Sequence, residues 1–133
     1  MKWVEKMFEK DFRISYLLDF YGNILTDKQK DAIDLYYNED LSLAEIADHQ
    51  DISRQGVRDA IKRGEETLIE MENKLGFAKL IDEYRESLEK ILNCTNIVKI
   101  SRGNMNYYKI IEENINSIAV AAKNLLTTSD GVE

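Results

Sequence analysis

Between positions 54 and 63 stand five side chains able to grip a polyanion: Arg54, Gln55, Arg58, Lys62 and Arg63. A guanidinium can take the O6/N7 edge of guanine through two parallel hydrogen bonds. A carboxamide can pair with adenine in the same way, and a lysine ammonium suits phosphate as a point charge. At about 100° per residue, Val57, Ala60, Ile61, Gly64 and Leu68 fall on one side of a helix, with Arg54, Gln55, Arg58 and Lys62 on the opposite arc. Ser53 at the helix start and Arg63 towards the backbone complete the candidate DNA-contacting set. Free N–H groups in the first turn add a weak preference for anions.

The charge distribution sharpens this reading. The chain carries a net charge of −7, which disfavours indiscriminate binding to a polyanion. All four basic groups of residues 42–63 nevertheless lie at Arg54, Arg58, Lys62 and Arg63, opposed between 53 and 63 only by Asp59. Glu65 and Glu66 follow at once and are expected to repel phosphate. Gly56, inside the helix, is expected to cost about 1 kcal/mol relative to Ala. An amphipathic helix with a merely solvated basic face is the plain alternative, so the surrounding elements decide.

Those elements are helical. Proline is absent, so nothing interrupts a helix by removing a donor and clashing with the preceding turn. Trp3, Met7, Phe8, Phe12, Tyr16, Leu17 and Phe20 predict one broad apolar face from about residue 3 to Tyr21, ended by Gly22-Asn23. Thr26-Asp27-Lys28-Gln29 reads as a capping box that opens a second helix. Ser42-Leu43-Ala44-Glu45 is another, with Leu41 and Ile46 at the spacing of a hydrophobic staple. Ala47 offers the small residue that a steep helix crossing requires. Asp51, four positions later, stands where the turn needs a positive φ, which a short polar side chain tolerates. Ile52 and Val57 repeat the staple around Ser53, and Gly76 ends the fourth helix near Lys74. The two short helices and tight turn over residues 42–63 form a helix-turn-helix.

Beyond Gly76, Phe77, Leu80, Ile81, Tyr84, Leu88, Ile91 and Leu92 recur at helical spacing. A break is expected at Asn93-Cys94-Thr95-Asn96, a turn at Ser101-Arg102-Gly103-Asn104, a last helix from about Met105 to Leu126, and a frayed tail. The fold class is therefore all-α. Residues 1–76 form the helix-turn-helix domain. Residues 77–133 form a helical extension, packed on the first part or dimerising.

Other chemistries find little support. His49 and Cys94 are the single histidine and cysteine and cannot supply the usual zinc sets. No nucleophile–base pairing and no glycine-rich phosphate loop is present, so no catalytic residue, metal or cofactor is expected and the chain reads as a non-enzyme. The acid pairs read as solvated helix faces, and Tyr36/Tyr37 and Tyr107/Tyr108 as core and rim. The N-terminus has no unbroken apolar stretch and no run approaches a membrane span, so a cytoplasmic location is expected.

The run Leu25-Thr26 … Gln29 … Leu35-Tyr36-Tyr37 … Asp40-Leu41-Ser42-Leu43-Ala44-Glu45-Ile46-Ala47 … Ile52-Ser53-Arg54-Gln55-Gly56-Val57 … Ile61-Lys62-Arg63 resembles region 4 of bacterial sigma factors, the module that reads the −35 promoter element. With Lys10-Asp11-Phe12-Arg13, Leu17-Leu18-Asp19-Phe20-Tyr21-Gly22 and Lys62-Arg63-Gly64-Glu65, it is more similar to the YlxM family of small bacterial helix-turn-helix proteins, over about residues 5–77. That resemblance implies a DNA-binding regulatory protein tied to the signal recognition particle pathway, because such proteins are encoded beside its genes. Double-stranded DNA is the expected partner, with a second copy of the chain. The alternative is a protein- or RNA-interaction module of the signal recognition particle machinery, without sequence-specific DNA binding.

Overall fold

Short polar residues set the helix boundaries. Asp11 accepts from the Arg13 N–H at 3.0 Å and opens helix α1, Phe12–Tyr21. Thr26 and Gln29 exchange their hydrogen bonds, each 3.2 Å, at the start of α2, Asp27–Tyr37. Ser42 and Glu45 do the same, again at 3.2 Å, for α3, Leu43–Gln50. Ser53 accepts the Gly56 N–H at 3.0 Å to start α4, Arg54–Leu75. Each such cap satisfies an N–H that the helix itself cannot pair, worth about 1 kcal/mol. The computed structural model describes residues 10–130, which hold two further helices, α5, Phe77–Ile100, and α6, Tyr107–Asp130, and no strand. The all-α expectation holds.

The chain divides into two compact units, residues 1–78 and 79–133. In the first, α4 is the central strut, packed by α1, α2 and α3. Its apolar stripe, Val57, Ile61 and Leu68, meets Ile14, Leu17, Leu18, Ile33, Ile46 and Ala47 in one core. Gly64 lets α4 and α2 approach closely: a Cβ there would collide with Ile33 Cδ1.

Polar ties fix the rim of this core. Lys10 Nζ donates to the Tyr36 carbonyl and to Asp40 Oδ1, both at 2.6 Å, holding the entry of α1 against the exit of α2. The Tyr21 hydroxyl donates to Glu72 Oε2 at 3.2 Å and accepts the Phe77 N–H at 3.1 Å, and Glu72 Oε2 also accepts the Ala78 N–H at 3.1 Å. Tyr21 and Glu72 thus cap the start of α5 from two other helices. Burial raises the Tyr21 phenol above its ordinary pKa, with Glu72 adding to the effect.

Several expectations change. Phe12 does not face the core but is 82% exposed, because Asp11 starts the helix there and the inward arc begins at Ile14. Ile14, Leu18 and Tyr21 take the places assigned to wider-spaced aromatics, with Tyr16 and Phe20 at the core margin. Trp3, Met7 and Phe8 lie outside the described residues. The break at 93–96 is absent: α5 runs through it, and Thr95 Oγ1 donates to the Leu92 carbonyl at 2.7 Å within the turn. The turn after Ser101 is present, with Gly103 at φ +85°, and the last helix continues past Leu126 to Asp130. The end of the tail, 131–133, also lies outside the described residues.

Candidate nucleic-acid interface

The crossing of α3 and α4 depends on what joins them. Asp51 closes α3 in the left-handed conformation at φ 55°, ψ 46°, and its N–H donates to the Ala47 carbonyl. The Ile52 N–H reaches the same carbonyl at 3.1 Å, so two donors tie off the end of α3 in one turn. Ala47 is buried where the helices meet, and Ile46 and Val57 are fully covered. The small residue and the positive φ stand where the sequence requires them.

With its apolar stripe committed to the core, α4 turns its long polar side chains outward. Arg54, Gln55, Lys62 and Arg63 are exposed, Ser53 is exposed at the cap, and Arg58 is half-buried. Arg54, Gln55 and Arg58 line an open depression of about 400 Å³ whose other wall is Ser42, Leu43 and Ala44 at the start of α3. Lys62 and Arg63 lie one turn and more beyond it. The candidate set thus divides into a cluster beside α3 and two cations farther along α4. Ser42, Leu43 and Ala44 were legible only as a capping box. Their place at the candidate site follows from the helix crossing, which sequence spacing does not report.

Two acids near the cluster are already engaged. Asp59 Oδ1 accepts from Gln55 Nε2 at 3.0 Å, which occupies part of the carboxamide intended for a base edge. Glu65, expected to repel phosphate, points inward: it is half-buried and accepts from the Tyr37 hydroxyl at 2.5 Å. Burial raises its pKa, the Tyr37 hydrogen bond opposes the shift, and Asp11 and Glu66 add to it. The Tyr37 phenol is raised as well, first by burial and then by the Glu65 carboxylate. Glu66 alone of the pair stays exposed on α4.

Among the described residues no group of three or more His, Cys, Asp or Glu side chains is placed to hold a metal ion. No described helix is long and apolar enough to cross a membrane.

The comparisons with known proteins agree with this architecture. A family model, UPF0122, described as "Putative helix-turn-helix protein, YlxM / p13 like", matches residues 8–107. The match runs well beyond residue 77, where the resemblance in the sequence ends, so the whole of α5 and the following turn belong to the shared pattern. A UPF0122 protein of Caldanaerobacter subterraneus subsp. tengcongensis is 51% identical over 87 residues, which cover 65% of this chain and 74% of the relative. One from Acetivibrio thermocellus is 43% identical over 113 residues, covering 83% and 97%. One from Clostridium perfringens is 42% identical over 110 residues, covering 83% and 96%. With a helix-turn-helix at its centre and a family match across most of its length, the chain belongs to the UPF0122, YlxM / p13-like family of helix-turn-helix proteins.

Proposed function

We propose that the protein is a non-enzymatic, cytoplasmic DNA-binding regulator that docks α4 in the major groove of duplex DNA. Arg54, Gln55 and Arg58 read base edges at the α3–α4 depression, while Lys62, Arg63 and the Ser53 hydroxyl reach phosphates. The observation that carries this reading is the division of α4 itself. Val57 and Leu68 are fully buried, whereas Arg54, Gln55, Lys62 and Arg63 are exposed, so a basic edge stands clear of the core that fixes its direction. A second copy as partner would place two such helices about one turn of DNA, ~34 Å, apart.

The test is selection from a random duplex pool at two salt concentrations, with a structured-RNA pool alongside. Enrichment of a duplex sequence whose binding falls steeply with salt is the expected result. Absence of any duplex enrichment overturns it.

A second reading is favoured by the net charge of −7 and by Asp59 and Glu66 on the same helix. In it the fold is a protein- or RNA-interaction module of the signal recognition particle machinery. Capture of such components, or enrichment of the RNA pool without any DNA shift, supports that reading instead.

A further inference from the structure

The described part of residues 79–133 holds almost no core of its own. Among the described residues, Ala121 is the one buried hydrophobic side chain of this unit. Ile81, Leu88 and Leu92 of α5 and Tyr108, Ile115 and Leu126 of α6 are instead 39–86% exposed. A two-helix unit with so little buried surface falls below the size at which a hydrophobic core sustains itself.

The placement of these side chains is not scattered. Half-buried or buried positions recur at alternating steps of three and four, at 84, 87, 91, 94 and 98 on α5 and at 111, 114, 118, 121 and 125 on α6. The turn after Ser101 reverses the chain, and Ser87 and Ala121 line one shared depression, so these two seams face each other. At about 100° per residue, 81, 88 and 92 sit roughly 100° round α5 from its seam. Positions 108, 115 and 126 sit roughly 100° round α6 in the same rotational sense. In antiparallel helices, equal rotations in the same sense arrive on the same side of the pair. The hairpin is thus a two-helix layer with one predominantly apolar side, which also carries Lys99 and, at its edge, Arg85 and Glu112. The other side is mainly polar, carrying Glu83, Glu86 and Lys90 of α5 and Glu113, Ser117 and Asn124 of α6 beside the exposed Val120.

We propose that this apolar side pairs with the same side of a second copy of the chain, giving a four-helix bundle about a two-fold axis. Three observations select a second copy as the occupant. The six side chains, at roughly 100 Å² each, together with the exposed Ala119 and the flanks of the seam, approach the ~800 Å² per partner of a standard stable interface. The exposed positions stand seven and four residues apart on α5 and seven and eleven apart on α6, whole numbers of helical turns as interlocking helices of a bundle require, and the copy supplies two helices of matching length and spacing. Charge agrees: residues 79–133 hold seven basic and eight acidic side chains, so two copies meet almost without repulsion. The layer therefore offers a nucleic acid no charge complement.

This deepens the reading of a second copy as partner and does not depend on DNA binding. The test is sedimentation of the full chain without DNA from ~1 to 100 μM, with Leu92→Lys, Ile115→Lys and the opposite-side control Lys90→Glu. Expected is a dimer for the native chain and the control, and a monomer of unchanged helicity for each lysine variant. A native chain that stays monomeric overturns the proposal, as does a lysine variant that still dimerises. If lysine costs helicity, the milder Leu92→Ala/Ile115→Ala variant must weaken dimerisation at least tenfold, and an unchanged dissociation constant overturns the assigned side. Duplex binding by the monomeric variants is measured separately, so the loss of one activity is told apart from the loss of the other.

Discussion

Ile33 lies so close over Gly64 that no side chain fits between them: a Cβ on Gly64 would overlap Ile33 Cδ1, while Gln29 Cβ stands only 3.6 Å away. Ile33 is itself fully buried, so its Cδ1 can give way only by displacing other core atoms. The approach of α2 to α4, and with it the fixed direction of the basic edge, rests on this missing side chain. Gly64→Ala sets a helix-propensity gain of ~1 kcal/mol against an overpacking cost of ~1–3 kcal/mol, and the second effect wins. A net loss of about 1 kcal/mol in urea denaturation is expected. Ile33→Val removes the offending Cδ1, so the Gly64→Ala/Ile33→Val pair should be more stable than the two single losses added together. Strict additivity would show that the contact does not limit the packing.

The left-handed turn at Asp51 gives a second prediction. At φ 55° an L-residue pays for the approach of its Cβ to the backbone, less so for Asp than for most. Asp51→Gly relieves this strain but loosens the unfolded chain, leaving a gain of about 0.5 kcal/mol. Asp51→Val, branched at Cβ, should lose about 1–2 kcal/mol. Thermal melts of the two variants should therefore move in opposite directions, and melts that move together would count against the turn.

How much of this was legible in the sequence depends on the range of the forces involved. The caps at Thr26, Ser42 and Ser53 and the stop at Gly76 are settled within four residues, and each stands where spacing puts it. The 93–96 segment misleads because Asn, Cys and Thr lower helix propensity by only tenths of a kcal/mol each. With no Pro or Gly to stop it, packing and local bonds such as Thr95 to the Leu92 carbonyl carry α5 through. Glu65 misleads for the opposite reason: it stands in sequence beside the exposed Arg63 and Glu66, but its partner Tyr37 is 28 positions away. The candidate residues of α4 could be read from periodicity. Their grouping with Ser42, Leu43 and Ala44 could not.

Glu65 also predicts a pH dependence. Its folded pKa lies above the ordinary 4.5 because burial penalises the charged form. Ionised Glu65 therefore weakens the fold at neutral pH. That cost fades as pH falls through the raised folded value, and it is gone below the unfolded value near 4.5. Glu65→Gln keeps an acceptor for the Tyr37 hydroxyl but does not titrate. The stability of the native chain relative to Glu65→Gln should rise as the pH is lowered from 7 to about 4.5, with other carboxylates cancelling in the difference. A pH-independent difference in urea midpoints would mean that Glu65 is as solvated as Glu66.

The proposed interface predicts two kinds of loss that must not look alike. Arg54 and Arg58, beside the start of α3, are assigned to base edges. Removing either should cost ~1–3 kcal/mol on the preferred duplex and relax its sequence preference, because a bidentate contact discriminates as well as binds. Lys62 is exposed a turn farther on and assigned to phosphate, so Lys62→Ala should weaken all duplexes about equally and lower the salt slope by about 1. The double variant Arg54→Ala/Arg58→Ala should abolish specific binding with helicity intact, since neither residue belongs to the core cluster. Binding isotherms at several salt concentrations, with circular dichroism on each variant, separate these outcomes. Unchanged specific affinity in the double variant would place the DNA-contacting surface somewhere other than α4.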